Sequence, residues 1–457
     1  MYSDACWQHA LRCANSARPV FNHRPLQLAF QRRRHLHTSG TTPSYNYQID
    51  DTVTSPYISQ SHKYSHEYEQ AVSLTSRIYQ LGGAELKSER LRVSQEIGCA
   101  EPCTDKHTTL ERLVNKFQER IQSQVLTDNT EINDVVKYVL TGQSKLFRPK
   151  LGLMVARLLS MRNTHGENTT SADEGSTLGY MNYGNLSTEL MDKVLRLLQS
   201  YEIVHIGSLM HDDVLDSANL RRRMPAVHVK AGVKIAVLVG DLMLTRACST
   251  VANLGSQVLT VRMSKALENL IKGEITTVEG TDNVESMMCN YLKKTFLKTA
   301  SLIAECCASI ASLLRQDEIT CHKCYLLGLH VGMAFQIYDD LLDYECGSSD
   351  LGKPTLNDLS SGLITMPLLM ALPESPGLGV LVTNGTVQSG NVDSVLPYVT
   401  CSQAYERSRY AVMMHLAEVS RILKGMEGNK TSPDSPLSDL SQSLLRFVYD
   451  TLTRLKG

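Results

Sequence analysis

Two acidic clusters, Asp212-Asp213-Val214-Leu215-Asp216 and Asp339-Asp340-Leu341-Leu342-Asp343, interrupt two strongly apolar stretches of this chain, IVHIGSLMHDD and HVGMAFQIYDDLLDY. The setting of both is helical. Residues four apart on a helix share a face, so Asp212 and Asp216 point one way, as do Asp339 and Asp343. Carboxylates stacked like this repel one another unless a cation lies between them. Acids that apolar helices would otherwise bury are rarely kept without a partner. Hard oxygen ligands in small number, with room left for water and phosphate, suit Mg²⁺, with Mn²⁺ as the alternative. One such cluster alone reads as readily as a solvated helix face. Two facing each other would hold a metal-bridged diphosphate, which makes all six aspartates candidate metal ligands.

The cations support an anionic ligand. Arg221-Arg222-Arg223 follows the first cluster, although by itself such a run reads as a solvated turn. Ser144-Lys145-Leu146-Phe147-Arg148-Pro149 precedes the apolar run LGLMVARLL. Pro149 fits the first turn of a helix, where its missing N–H costs nothing. Lys145 and Arg148 then stand at a helix N-terminus, a natural anion site. Lys298-Thr299 and Lys353-Pro354 come later. Arg suits bidentate phosphate contacts and Lys acts as a point charge. His205 alone reads as a core histidine; its spacing to Asp212 favours a role in the site.

The order GQSKLFRP, YEIVHIGSLMHDDVLDSANLRRR, VGD, KGE, FLKTASLIAECC, GMAFQIYDDLLDY, LGKPTLNDLSSGLITMPLL resembles the trans-isoprenyl diphosphate synthases. Within them it is most similar to the long-chain polyprenyl (solanesyl and decaprenyl type) diphosphate synthases that make the ubiquinone side chain. The resemblance is good over residues 108–370 and loose over 400–457. It implies an all-α fold, an isoprenoid-synthase-type bundle of ten or more helices around a central cavity. It also implies roles. Lys145, Arg148, His205 and Arg222 match contacts to isopentenyl diphosphate. Arg221, Lys298 and Thr299 match contacts to the allylic diphosphate. Gln336 belongs to the second acidic motif, and Lys353 is the lysine after it. Asp212, Asp216, Lys298, Asp339, Asp340 and Lys353 are then the catalytic set. The sequence departs from the family pattern at Leu146, where many relatives carry a basic residue. It departs again at Arg223-Met224-Pro225, in place of Gly-Lys-Pro, and at Thr276-Thr277, where a Gln is often seen.

The implied reaction is repeated condensation of isopentenyl diphosphate onto an allylic diphosphate. Metal ions and cations take up the charge of the leaving diphosphate. The product is a long all-trans polyprenyl diphosphate. Gly207 and Ser208 lie one turn before Asp212, and their small size would leave a channel open for a long product; alternatively, Gly207 only permits close helix packing. A geranylgeranyl or farnesyl diphosphate synthase is the alternative in the same class. A terpene cyclase would lack the station at Lys145 and Arg148, and a non-catalytic subunit would have lost an aspartate. The family implies a homodimer, or a heteromer with a sister chain in which this is the catalytic subunit, with peripheral membrane contact for product release.

Net charge is −1 in 457 residues, so nothing suggests a nucleic-acid partner. No uninterrupted apolar run reaches the roughly 20 residues that span a bilayer. Seventeen Met and one Trp suit an adaptable helical core. Residues 1–48 hold the single acid Asp4 against Arg12, Arg18, Arg24, Arg32, Arg33 and Arg34, the composition of a mitochondrial transit peptide. The location expected is the mitochondrial matrix or its inner membrane, with a plastid-type organelle as alternative. Residues 49–105 read as a polar leader of low structure, and 106–457 as one helical domain with loops near 162–187, 374–395 and 426–438. Helical patterns begin near Thr109 and return over 401–424. The scattered cysteines read as reduced thiols.

Overall fold

The computed structural model describes residues 73–75, 85–86, 88–89, 92, 107–141, 146–163, 186–222, 224–345, 356–427 and 435–453. All of these lie in the unit Ser59–Gly457. The first helices are α1 (His107–Ile121), α2 (Thr130–Thr141), α3 (Phe147–Asn163) and α4 (Thr188–Leu215). A two-residue hairpin follows, β1 (Leu220–Arg221) antiparallel to β2 (Met224–Pro225). Then come α5 (Val227–Ala231), α6 (Val233–Ala252), α7 (Gln257–Ile275) and α8 (Val284–Thr295). A π-helical turn, Phe296–Ala300, joins α8 to α9 (Ser301–Leu313). The long α10 (Glu318–Glu345) is followed by the short α11 (Asn357–Ser360) and α12 (Met366–Ala371). The chain ends with α13 (Pro376–Thr383), α14 (Val392–Thr400), α15 (Ala404–Glu427) and α16 (Pro436–Thr453).

α4 and α10 form the heart of the bundle because both are apolar nearly all round. Leu197, Leu198, Ile203 and Val204 of α4 and Leu327, Leu329, Val331 and Met333 of α10 are buried. Each such side chain contributes about 1.5–3 kcal/mol of burial. Local signals set the ends of the site-bearing helices. The Ser187 side chain caps α4 by accepting from Leu190 N at 3.2 Å, and Glu189 stands in the first turn. Asn283 caps α8 through Ser286 N at 2.9 Å, and Lys293 and Lys294 close its last turn. α10 packs on α9, α15 and the π turn. The approach is close: a Cβ at Gly332 would lie 2.4 Å from Ala300 Cα.

Phe147 ties three distant segments together. Its ring stacks on Phe335 of α10 at 5.3 Å and on Phe447 of α16 at 5.6 Å. The N-terminus of α3 is thereby fastened to the helix that carries the second acidic cluster.

Three expectations change. The segment 374–395 is not a loop throughout: a 3-10 turn (Leu372–Glu374) and α13 occupy its first part, and α14 begins at Val392. Pro376 starts α13 where its missing N–H costs nothing, and Leu378 and Val382 are buried; the glycines had masked an apolar run. The leader is not uniformly unstructured. Thr75 and Leu86 are buried, and Thr75 Oγ1 lies 3.0 Å from His415 Nε2 in α15. Two helical stretches, Val233–Ala252 and Val284–Leu313, are long and apolar enough to cross a membrane. The second is mostly buried, whereas α6 is largely open. The other two segments read as loops lie mostly outside the described residues, as do residues 1–48; α3 runs on to Asn163 and α15 to Glu427. The described cysteines are all free thiols.

Candidate active site

α4 delivers the first cluster at its C-terminal end. Asp216 N still bonds to Asp212 O at 2.8 Å, so Asp212 and Asp216 share the last turn and one face. Asp213 points elsewhere. It is buried and accepts from Arg221 Nε at 2.8 Å, with Arg221 Nη2 making a second contact. A step of about 100° round the helix turns Asp213 away from Asp212 and into an ion pair with the hairpin, so a metal there would compete with Arg221. Ser217, just past the helix, and Arg222, in the hairpin tip, both have left-handed backbones (φ 52° and 51°). Such positions are strained for side-chain-bearing residues and cluster at functional sites.

Arg221, Arg222 and Arg148 form a cationic corner around His205. Burial holds the His205 imidazole well below its usual pKa, and Arg148, Arg222 and Arg221 depress it further, so the ring is neutral. Burial also lowers the Arg148 pKa, and its Nε is buried without a hydrogen-bond partner. A buried guanidinium donor left open beside two further arginines suits an incoming anion. The cleft beside this corner is lined by Tyr138, Ile206, Asp213, Arg221, Arg222 and Met224. Lys145, Arg223 and Lys353 lie outside the described residues.

The π turn carries Lys298 and Thr299. Lys298 Nζ sits 3.3 Å from Asp212 Oδ2 and 2.7 Å from Glu274 Oε2. Burial opposes the Lys298 charge, but these two carboxylates outweigh it and its pKa is raised. Burial pushes Asp212 up to about 7, Lys298 opposes and Glu274 adds to the rise. Thr299 Oγ1 donates to Gln336 Oε1 at 2.7 Å, and Gln336 Nε2 donates to Asp340 Oδ1 at 2.8 Å. Tyr291 Oη donates to Asp340 Oδ2 at 2.5 Å.

The second cluster therefore divides. Asp340 is buried with a donor on each oxygen and braces α10 against α8 and the π turn, contacts with which a metal would compete. Burial raises its pKa to about 6 against those two hydrogen bonds. Asp343 Oδ1 accepts from Asn357 N at 3.1 Å and Oδ2 from Asp358 N at 2.9 Å, which seats α11 beside the cluster. Asp339 is exposed. Burial, then Asp340, Asp343 and Asp339, push Asp358 up to about 8.

Among the described residues, no three His, Cys, Asp or Glu side chains converge closely enough to form a protein-only metal cage. The donor set fits Mg²⁺ nevertheless. This ion keeps waters and takes one or two carboxylates plus substrate phosphates. Burial, with neighbouring carboxylates adding to it, holds Asp212 and Asp358 above the usual carboxylate range, a cost that a bound cation would relieve. Asp212 and Asp216, on one face of α4, and the exposed Asp339 are the candidates for holding it.

Glu274, Tyr291 and Asp358 escaped the sequence reading. Glu274 had a signal in the Gly273-Glu274 pair that ends α7. Tyr291 and Asp358 had none, since their partners come from packing. Gly207 and Ser208 also read differently in three dimensions. A Cβ on Gly207 would lie 3.3 Å from Gly240 O and from Leu244 Cδ2, and 3.5 Å from Met243 Cβ. Beneath Gly207 lie backbone and side chains of α6, which favours the close-packing alternative over an open channel at this position. Ser208 is half-buried and donates to His205 O at 2.9 Å.

Residues 129–397 match the Polyprenyl synthetase family. The chain is 30% identical over 339 residues to the mitochondrial solanesyl-diphosphate synthase 1 of Oryza sativa subsp. japonica, covering 74% of this chain and 76% of that one. It is 30% identical over 356 residues to the all-trans-polyprenyl-diphosphate synthase PDSS1 of Homo sapiens, covering 78% and 79%. The fold is similar to that of the heptaprenyl diphosphate synthase of Staphylococcus aureus, with TM-score 0.61, 19% identity, and 76% and 98% of the two chains covered. Aspartate stations, cationic corner and helical frame occur here together, and the chain belongs to the polyprenyl synthetase family.

Proposed function

We propose that this protein is a trans-polyprenyl diphosphate synthase that adds isopentenyl diphosphate repeatedly to an allylic diphosphate. The observation that carries the reading is Lys298, held between Asp212 and Glu274 on a π turn whose next residue bonds to the second acidic motif. Two acidic stations and the lysine between them are thus one construction. Mg²⁺, when bound, supplies Lewis-acid neutralisation of the leaving diphosphate. The chain's own part is to bind and aim. Lys298 and Arg221 stabilise charge on the allylic diphosphate, and Lys353 joins them by family resemblance. Arg148, Arg222 and neutral His205 orient isopentenyl diphosphate, with Lys145 completing that station by resemblance. The apolar interior of α4 and α10 excludes water from the allylic cation. No protein nucleophile takes part, and the proton lost at the end goes to the departing diphosphate.

Solanesyl, decaprenyl and hexaprenyl synthases among the relatives support a long product for the ubiquinone side chain, and the mitochondrial ones support a mitochondrial location. We propose a second copy or a sister subunit as partner. Val233 and Leu238 of α6 and Val258, Ile271 and Ile275 of α7 are exposed apolar residues that the chain leaves uncovered. Labelled isopentenyl diphosphate, an allylic primer and product chromatography test the function, with and without the sister subunit. Elongation that stops in EDTA and yields chains beyond four isoprene units supports it. Full turnover in excess EDTA, or a product that ends at geranylgeranyl diphosphate, overturns the metal or the chain-length part respectively.

A further inference from the structure

Lys298 has two carboxylate partners, and the nearer one lies outside both aspartate clusters. Glu274 takes the ammonium at 2.7 Å, Asp212 at 3.3 Å. Two backbone features converge on this contact. Gly273, in the last turn of α7, lies directly under the π turn: a Cβ there would lie 2.6 Å from Lys298 N and 2.9 Å from Leu297 C. Only glycine lets the two segments approach so closely, and the residue after it is thereby delivered to Lys298. The π turn is the second feature, since such turns are rare and frequently mark functional sites. An incidental surface ion pair requires neither.

The charges explain what the arrangement achieves. A lysine facing Asp212 alone would settle on that carboxylate and compete with a cation for its oxygens. With Glu274 holding the shorter contact, the Lys298 ammonium is shared and its bond to Asp212 is the longer of the two. We infer that Glu274 is a positioning residue that anchors the Lys298 ammonium, leaving Asp212 to the metal and Lys298 aimed at the allylic diphosphate. The inference rests on the reading of Asp212 and Lys298 as diphosphate machinery. Glu274 is half-buried at a helix end, so its replacement leaves the core untouched.

The test is calorimetric binding of inorganic pyrophosphate to the full-length chain across a Mg²⁺ series, with the melting temperature recorded in parallel. Glu274→Ala is expected to raise the half-saturating Mg²⁺ about fivefold, and Glu274→Gln, whose amide oxygen still accepts from Lys298, less than about twofold. In a Lys298→Ala background, Glu274→Ala should change the Mg²⁺ requirement no further, because the effect passes through the lysine. A merely structural role would lower the melting temperature and leave the Mg²⁺ requirement in place. An unchanged requirement in Glu274→Ala, with pyrophosphate affinity lost in Lys298→Ala, overturns the role of Glu274 alone. Additive effects in the double variant overturn the passage through Lys298. Wild-type binding in Lys298→Ala overturns both this inference and the reading beneath it.

Discussion

The Tyr291 hydroxyl and Asp340 Oδ2 are joined by a buried 2.5 Å hydrogen bond between α8 and α10. Removing the hydroxyl leaves a buried carboxylate oxygen without its donor, which costs about 1–3 kcal/mol. Tyr291→Phe should therefore lower the melting temperature. It should also lower kcat, because Asp340, Gln336 and Thr299 form one chain of contacts leading to the Lys298 turn. Thermal melts and steady-state kinetics check this. Wild-type values in both would show that Asp340 needs no brace.

Asp212 and its neighbour Asp213 should separate sharply. Asp212→Asn is expected to reduce kcat by at least about a hundredfold, the scale of losing one transition-state stabiliser. Asp213→Asn should keep the wild-type Mg²⁺ requirement but free Arg221, raising KM for the allylic substrate. Mg²⁺ titrations of both variants discriminate; a shifted requirement in Asp213→Asn would return that residue to the metal.

Gly207 is a packing position in this structure. Gly207→Ala needs its neighbours to give by a few tenths of an ångström, whereas Gly207→Tyr must push α4 from α6 at a cost of about 3 kcal/mol or more. The tyrosine variant should melt well below wild type. A shortened product with an unchanged melting temperature would instead make Gly207 part of the product path.

The pH dependence of the metal-free protein follows from Asp358. Its pKa rises from 3.8 to about 8, with burial the main cause and the aspartates of α10 adding to it. A carboxyl with a raised folded-state pKa binds its proton more tightly when folded. Its contribution to stability is complete below the unfolded value and is lost as pH rises through the folded one. Melts in EDTA should show stability falling between about pH 4 and pH 8, and Asp358→Asn should flatten that slope. An identical slope in the variant would exclude Asp358 as the source.

What the sequence revealed was what local periodicity controls. The pairing of Asp212 with Asp216 follows from helix geometry alone, and the helices around both acidic clusters were legible from apolar pattern. The contacts that reading did not reach have physical causes. Asp213 and Asp340 were counted with their clusters because spacing along a chain says nothing about which oxygen meets Arg221 or Tyr291. Glu274 reaches Lys298 only because α7 ends against the π turn, a contact between segments distant in sequence. The glycines of 374–395 suggested a loop, yet the apolar run between them could be buried and became α13.

The π turn at Phe296–Ala300 has a consequence for alignment. Tyr291 and Thr299 are eight positions apart, which on an unbroken α-helix leaves them about 80° out of phase. The extra residue in the widened turn makes the interval behave like seven, two full revolutions, and brings the two to within about 20°. Both can then address one stripe of α10, Tyr291 at Asp340 and Thr299 at Gln336. The turn is a phase correction. A variant lacking one residue there would make a more regular helix, with either the tyrosine or the threonine rotated off its target.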